Sequence, residues 1–403
     1  MSAHLDPVPA APAPAAPPAT ARPAPATERL RLLFVVGNFV AGGAERHLLE
    51  LWRRIDRDRF DVRIACFRAE GQFWPDVQAL GLPVTELRVG RRIYDASGVA
   101  GFARLVALVR AFRPHVIHGY LFGPNLFAAL AGRIAGVPVV AVAKRNVDAF
   151  ETPRQVFAQR IAHRLATHVT AVSDAVADTV VKLGVPRNRI TVIPNGVDAS
   201  RFVMGGGALA PASAPVVGSV GCLAPRKDYG TLLDALAELR RRGVPFTAML
   251  VGDGPDRAML EARATALGIA DAVQFLGERP DVERLLPGFD VFVLSSREEG
   301  IPNALLEAMA AGRPAVVTDV GGNREVLRDG DTGWIVPAQS PAALADALAA
   351  VLGDPAEARR RGERARTDTR ERHSIDAMVR RHEAFYRAAV TAGAPAADEG
   401  ASA

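Results

Sequence analysis

The chain has 403 residues, of which 49% are hydrophobic and 23% are charged, and its formal net charge is +5. This composition excludes a chain that is disordered throughout, because enough apolar side chains are present to bury large cores. It also excludes a helical membrane protein, since no stretch approaches the ~20 uninterrupted apolar residues that a membrane-spanning helix needs. At roughly 100–200 residues per domain, the length predicts two or three domains.

The two ends of the sequence differ from the rest in composition. Residues 1–28 contain eight prolines among alanines and almost no branched apolar residues. Such a segment cannot bury enough surface to offset its chain entropy, so we expect a disordered tail. It also lacks the basic start and continuous apolar centre of a signal peptide. Residues 391–403 are expected to form a second tail.

Between the tails, apolar runs of strand length alternate with segments of helical spacing. In the first half, the predicted strands are Arg31–Gly37, Val62–Phe67, Val116–Gly119, Val139–Ala143, Val169–Val172 and Ile190–Ile193. The predicted helices between them are Ala44–Ile55, Phe73–Leu80, Gly101–Phe112, Asn125–Ala135, Arg154–Leu165 and Asp174–Lys182. This alternation predicts an open parallel sheet with helices on its faces.

A run of glycines and other small residues then predicts a linker at 203–215. Beyond it the same alternation returns, with predicted strands at Val216–Val220, Thr247–Val251, Val273–Phe275, Val291–Leu294, Ala315–Val317 and Trp334–Val336. We therefore predict two doubly wound α/β domains, at 29–202 and 216–373, followed by a basic helix at 374–390. Ligands bind such sheets at the carboxyl ends of their strands, so two facing domains predict a cleft.

Charge is distributed unevenly between the two predicted domains. Residues 29–202 contain 25 Lys or Arg against 14 Asp or Glu, a net charge of +11, whereas residues 203–403 carry a net charge of −5. A basic field attracts phosphorylated substrates or acidic lipid headgroups, although an arginine-rich composition without a partner explains the same count. Because aromatic residues total only 6% and no nucleic-acid motif is present, we expect no nucleic-acid partner.

The segment Phe289–Val326 contains the most informative motif. Its polar loop, Arg297–Pro302, follows a predicted strand and opens a helix. Gly300 allows close backbone approach there, and the helix start offers free N–H groups to an anion. The carboxylates of Glu299 and Glu307 accept hydrogen bonds only, so they suit sugar hydroxyls better than phosphate. The segment therefore predicts a site for a nucleotide together with a sugar.

Two further strand-to-helix loops contain residues suited to phosphate. Arg226 and Lys227 are adjacent cations at the end of a loop, a combination suited to a diphosphate. The Gly42–Gly43 pair permits close approach to a bound group, although the surrounding segment is not a G-x-G-x-x-G fingerprint. The glycine turn at Gly252–Gly254 either lines the cleft or only turns the chain.

Polar residues also end two strands of the first predicted domain. His118 ends one strand and is expected to point toward the cleft mouth, although a histidine at such a position is also commonly structural. Arg145 and Asn146 end the next strand. The two D-x-D strings, Asp56–Asp58 and Asp329–Asp331, are expected to be surface and turn residues rather than metal ligands.

Taken in order, these motifs resemble those of the GT-B glycosyltransferases, specifically retaining family 4 (glycosyl transferases group 1), over roughly residues 30–390. The most specific element is the E-x7-E pattern of Glu299 and Glu307, which starts E-G-I-P-N. It is supported by Gly42–Glu45, by the I-P-N-G-V-D string at Ile193–Asp198 and by the Arg226–Lys227 pair. The resemblance implies two Rossmann-like domains facing a central cleft, with a C-terminal helix that crosses back to the first domain.

The resemblance also implies a role for each candidate residue. Arg226 and Lys227 would hold the diphosphate, Glu307 the ribose, and Glu299 the donor sugar. The other implied donor-binding residues are Gly42 and Gly43 near the diphosphate, Gly277, Glu278 and Arg279 near the base, and Gly300, Ile301, Pro302 and Asn303 near the sugar. His118 would contact the sugar and join Arg226, Lys227 and Glu299 as a catalytic residue, while Arg145 and Asn146 would lie on the acceptor side.

The implied reaction moves a sugar, with retention, from a nucleotide-diphosphate sugar to a glycan or lipid-linked acceptor in cell-surface polysaccharide or glycolipid synthesis. No metal or other cofactor is expected, and the expected location is cytoplasmic, with possible peripheral contact with an anionic membrane. Cys222 departs from the family, which often has Arg after the glycine at Gly221. A sugar-nucleotide epimerase of the same architecture and a catalytically silent nucleotide-binding scaffold stay open as alternatives; a nicotinamide dehydrogenase would need the missing G-x-G-x-x-G fingerprint.

Overall fold

The computed structural model describes residues 29–40, 42–90, 92–147, 152–202 and 214–393. The predicted N-terminal tail, most of the predicted linker at 203–215 and residues 394–403 lie outside these ranges. Residues 391–393, which we expected in a tail, instead complete the last helix.

Seven parallel strands form the first sheet, in the order β3-β2-β1-β4-β5-β6-β7. They are β1 (Leu30–Val36), β2 (Phe60–Cys66), β3 (Val84–Glu86), β4 (Val116–Tyr120), β5 (Val139–Lys144), β6 (His168–Ala171) and β7 (Ile190–Val192). The helices between them are α1 (Gly43–Arg54), α2 (Trp74–Ala79), α3 (Ala96–Phe112), α4 (Phe122–Ile134), α5 (Pro153–Leu165) and α6 (Asp174–Lys182). The central strands are almost continuous apolar runs, because helices cover both faces of a parallel sheet.

Six parallel strands form the second sheet, in the order β10-β9-β8-β11-β12-β13. They are β8 (Val216–Val220), β9 (Thr247–Val251), β10 (Val273–Gly277), β11 (Val291–Leu294), β12 (Ala315–Thr318) and β13 (Trp334–Val336). Helices α7 (Tyr229–Arg241), α8 (Arg257–Ala266), α9 (Val282–Leu285), α10 (Asn303–Ala310), α11 (Asn323–Val326), α12 (Pro341–Gly353), α13 (Pro355–Arg372) and α14 (Ile375–Gly393) complete the fold.

Both sheets reverse their strand order at one point, between β1 and β4 in the first and between β8 and β11 in the second. Such reversals open a crevice at the carboxyl ends of the strands, where ligands of doubly wound sheets bind. The segments that follow β1 and β8 contain the glycine and Arg-Lys motifs, and the E-x7-E motif extends from the loop after β11 into α10. The predicted fold class is thereby confirmed.

The last helix, α14, packs against the first sheet rather than the second. Its side chains Met378, Phe385 and Tyr386 are buried in the same apolar cluster as Phe34 of β1. The predicted crossing back to the first domain is confirmed. No helix among the described residues is both long enough and apolar enough to cross a bilayer.

Candidate active site

The two strand-end loops of the second sheet meet at a buried ion pair. The Lys227 ammonium contacts the Glu299 carboxylate, which also accepts a hydrogen bond from Ser296 Oγ at 2.6 Å. Ser295 Oγ donates to the backbone carbonyl of Lys227 at 3.0 Å, fastening one loop to the other. The side chains of Lys227 and Glu299 are only 10% and 4% exposed. The loop after β8 and the loop after β11 are therefore held as one unit, with a matched charge pair at its centre.

Other members of the loop after β8 lie closer to solvent. Arg226 is half-buried, and its backbone carbonyl accepts from Arg297 N at 2.8 Å. Cys222 is exposed, whereas Cys66 in β2 is buried. The position at which the sequence departs from the family's frequent arginine is therefore exposed.

The glycine turn after β9 packs directly on the loop after β8. Gly252 has φ +131°, and a Cβ there would lie 2.1 Å from the carbonyl oxygen of Gly221. A Cβ on Gly254 would lie 2.4 Å from the carbonyl oxygen of Leu223. Glycine at these two positions therefore allows the backbone of the turn after β9 to pack directly against the backbone of the loop after β8. The turn thereby supports the loop that contains Arg226 and Lys227.

Glu307, on the second turn of α10, lines a cavity between the two domains. Arg46 of α1, Arg201 and Asn303 line the same cavity. Burial raises the pKa of the Glu307 carboxyl, while Arg46 and Arg201 oppose that rise and Glu283 adds to it. Glu307 is therefore a hydrogen-bond acceptor held at the domain interface, flanked by cations from the first half of the chain.

A chain of side-chain amides joins the E-G-I-P-N loop to the first domain. Asn195 Nδ2 donates to the Ile301 carbonyl at 2.8 Å and to Asn303 Oδ1 at 2.7 Å. Asn303 Nδ2 donates in turn to the Gly43 carbonyl at 3.2 Å, and the Arg145 guanidinium donates to Asn195 Oδ1. The predicted donor residues and the predicted acceptor-side arginine are thus brought together. Sequence reasoning assigned no role to Asn195, although it is the asparagine of the I-P-N-G-V-D string.

Gly300 packs closely against the first domain. A Cβ at this position would lie 2.2 Å from the carbonyl oxygen of Arg145 and 2.7 Å from Cγ1 of Val172. The backbone of the loop after β11 therefore rests on the ends of the first sheet. Any larger residue would push the two domains apart at this point.

Glu325 of α11 forms a second bridge between the domains. Its two carboxylate oxygens accept from the backbone N–H groups of Asp174 and Ala175, each at 2.9 Å. These two N–H groups lie at the start of α6, where backbone donors have no partner within the helix and a negative charge is stabilised. Ser173 completes the cap by accepting from Val176 N. No sequence pattern had singled out Glu325.

His118 does not occupy the position expected of it. Its ring is buried, Nδ1 lies 3.0 Å from the Tyr386 hydroxyl, and Nε2 lies 3.1 Å from Thr170 Oγ1. Both ring nitrogens are thereby engaged by protein groups, and burial lowers the ring's pKa well below its ordinary value. The structure corrects the predicted placement at the cleft mouth, because α14 covers this part of the strand.

Two of the residues that follow His118 line a cavity within the first domain. Tyr120 and Leu121 line a small cavity together with Asn38 and Glu45. Burial raises the pKa of the Glu45 carboxyl, partly offset by Arg145. The cavity therefore combines apolar walls with amide and carboxyl oxygens at the carboxyl edge of the first sheet.

The remaining predicted residues lie at the margin of the cleft. Gly277 ends β10 with φ +67°, and it is followed by Glu278 and Arg279, which are both exposed. Arg279 pairs with Asp281 at 2.7 Å. Asn146 is half-buried, directly after Arg145.

The two D-x-D strings lie apart from these residues. Asp58 follows α1 on the surface, and Asp331 pairs with Arg328 in a turn. Within the described ranges, no group of three His, Cys, Asp or Glu side chains is placed to hold a metal ion.

Comparisons with known proteins agree with this arrangement. Residues 41–201 match the family described as Glycosyltransferase Family 4, and residues 208–368 match Glycosyl transferases group 1. The chain is 30% identical over 354 residues to a 2-deoxystreptamine N-acetyl-D-glucosaminyltransferase of Streptomyces fradiae, covering 78% of this chain and 83% of that protein. It is 28% identical over 313 residues to a putative glycosyltransferase, EpsF, of Bacillus subtilis, covering 72% and 79%.

Solved structures show the same fold at lower identity. The crystal structure of Anabaena Alr3699/HepE in complex with UDP-glucose superposes with a TM-score of 0.78 at 23% identity, covering 89% of this chain and 100% of that one. Sucrose-phosphate synthase from Thermosynechococcus elongatus superposes with a TM-score of 0.77 at 20% identity, covering 90% and 100%.

Proposed function

Because the chain belongs to the family 4 (group 1) glycosyltransferases of GT-B fold, we propose that it transfers a sugar from a nucleotide-diphosphate donor to a glycan or lipid-linked acceptor. The observation that carries the proposal is the buried Lys227–Glu299 pair, which joins the loops that follow β8 and β11 at the crevice of the second sheet. The pair places one cation for a leaving diphosphate beside one carboxylate for sugar hydroxyls.

The donor would lie along the loops after β8 and β11. Lys227 and the adjacent Arg226 would hold the diphosphate, and Glu299 with the backbone of residues 300–303 would hold the sugar. Glu307 would accept hydrogen bonds from the ribose hydroxyls, because a buried carboxylate is costly unless hydrogen-bond donors contact it. The exposed residues Glu278 and Arg279 would lie beside the base.

In the proposed reaction, the bond between the anomeric carbon and the diphosphate oxygen breaks, and its electron pair leaves with the nucleoside diphosphate. The acceptor hydroxyl oxygen forms the new bond to that carbon and gives its proton to the leaving group or to solvent. Lys227 and Arg226 would stabilise the charge that develops on the diphosphate. Attack from the face of the leaving group would retain the anomeric configuration.

The acceptor would enter beside the first sheet, near Glu45, Tyr120 and Arg145. Several relatives are named for surface glycan synthesis, among them a putative colanic acid biosynthesis glycosyltransferase, WcaL, of Escherichia coli and a lipopolysaccharide core biosynthesis glycosyltransferase, LpsE, of Rhizobium meliloti. These names support a role in cell-surface polysaccharide or glycolipid synthesis.

Calorimetric titration with UDP, GDP, ADP and TDP in the presence of EDTA tests the proposal. We expect one nucleotide to bind, Glu307→Gln to weaken it by removing a charge-assisted hydrogen bond, about tenfold or more, and Arg226→Ala to weaken it as well. Glu357→Gln, which alters a surface ion pair on α13, is the matched control and should bind as the parent does.

Binding of no nucleotide by the folded parent would refute the proposal. If the nucleotide sugar binds but is neither hydrolysed nor transferred, the scaffold alternative is favoured. If the enzyme converts it to another sugar nucleotide without an acceptor, the epimerase alternative is favoured.

A further inference from the structure

We propose that a groove beside α3, α4 and α5 of the first domain binds the hydrocarbon chain of a lipid-linked acceptor. The groove has a volume of about 770 Å³ and is lined mainly by apolar side chains, among them Ile93, Val99, Phe102, Phe122 and Leu126. This volume lies within the range of sites that bury small organic ligands. The inference rests on the proposed function, and it names the class of acceptor.

Large apolar side chains are exposed at the mouth of this groove. Tyr94 is 80% exposed and Val99 is 68% exposed, and both line it. Single apolar residues on a surface need no explanation, but a cluster around a concave apolar site marks a binding surface.

The position of the groove connects it to the candidate active site. In a doubly wound domain each helix begins at the carboxyl edge of the sheet, and the groove is lined by residues from the first two turns of α3 and α5 and from the first three turns of α4. Leu121 lines the small cavity beside Glu45, and Phe122, the next residue, lines the groove. Consecutive Cα atoms are about 3.8 Å apart. A ligand could therefore place its sugar at the cleft and its chain in the groove.

The charge around the groove selects an anionic lipid. Arg154 lines the groove, and the exposed Arg92 precedes Ile93. Phosphate or diphosphate, which joins a sugar to a lipid carrier, fits these two cations. We therefore commit to the prenyl chain of a phosphate-linked acceptor as the occupant.

A photoreactive farnesyl diphosphate analogue, with a diazirine at the end of its chain, tests the assignment. The full chain is irradiated with the probe in the presence of saturating nucleotide, and the adducts are mapped by mass spectrometry. We expect adducts on α3, α4 or the start of α5. Val99→Asp should reduce labelling about tenfold by placing a charge in the apolar groove, and Ala158→Trp should reduce it by filling the groove.

Met259→Asp, at a 53% exposed apolar position on α8, is the matched control and should label as the parent does. Nucleotide titration of each variant separates the two proposals: if nucleotide binds and the groove is not labelled, only the groove assignment fails. Adducts confined to other surfaces would overturn it. The assignment would also be overturned if Val99→Asp labelled as the parent does but no longer bound vesicles or no longer formed a dimer. A bilayer or a second copy of the chain would then be the occupant of the groove.

Discussion

Removing either member of the Lys227–Glu299 pair should destabilise the second domain strongly. The side chains are only 10% and 4% exposed, so each single change leaves an uncompensated charge in a buried site. Such a change typically costs about 3–5 kcal/mol. We therefore expect Lys227→Met and Glu299→Gln each to lower the free energy of unfolding by about that amount.

The double variant should recover part of the loss, because no unpaired charge remains. Partners in direct contact typically couple by about 0.5–3 kcal/mol, and this pair should lie at the upper end. Urea unfolding followed by circular dichroism and by the intrinsic fluorescence of the three tryptophans, Trp52, Trp74 and Trp334, measures all four proteins. Agreement between the two signals would justify a two-state treatment.

Asp271→Asn provides the matched control. Asp271 pairs with Arg240 on the surface, where the side chains are 68% and 44% exposed, so its loss should cost about 1 kcal/mol or less. If the Lys227 and Glu299 variants cost no more than this control, the pair is solvated in solution. The argument from burial would then be refuted.

Three further perturbations test the domain contacts and the buried histidines. Gly300→Ala should open the cleft and lower kcat, because the new Cβ would lie 2.2 Å from a carbonyl oxygen of the first domain. Gly353→Ala is the control: its Cβ would meet nothing within 4 Å, so domain closure and kcat should stay as in the parent. Glu325→Gln should weaken domain closure by about 0.3–1 kcal/mol, seen as a larger radius of gyration in X-ray scattering, and an unchanged radius would contradict the bridge. Burial lowers the pKa of His382 to about 3, whereas an unfolded histidine titrates near 6.5. The unfolded state therefore takes up a proton first as pH falls, so stability should be lost below pH 6.5 by about 1.4 kcal/mol per pH unit for this histidine. His382→Gln should reduce that slope in urea titrations at pH 7.5, 6 and 5, and an identical slope would exclude His382 as its source.

The sequence was sufficient to predict all six strands of the second sheet and six of the seven strands of the first; the short edge strand β3 (Val84–Glu86) was missed. Central strands such as Val291–Leu294 are continuous apolar runs, and such runs can be located from the local sequence alone. The E-G-I-P-N loop and the Arg226–Lys227 pair lie directly after such strands. Parallel topology then brings their positions together without any long-range information.

Features that depend on contacts between distant segments were missed. Helix α13 has no wide apolar face, since it buries small residues such as Ala358, Gly362 and Ala365. A Cβ on Gly362 would lie 2.4 Å from the Gly312 carbonyl oxygen, so close backbone contact replaces large side chains there. The placement of His118 was wrong for a similar reason, because the helix that covers it lies more than 250 residues away in the chain.

The path of α14 also fixes the order in which the protein can be completed during synthesis. The first domain emerges first from the ribosome, yet its core includes Met378, Phe385 and Tyr386 from the end of the chain. Until those residues emerge, Phe34 and Tyr120 lack part of the cover that shields them from water. Exposed apolar surface of this kind makes nascent chains prone to aggregation. The apolar core of the first domain therefore stays incomplete until the whole of the second domain and α14 have been translated.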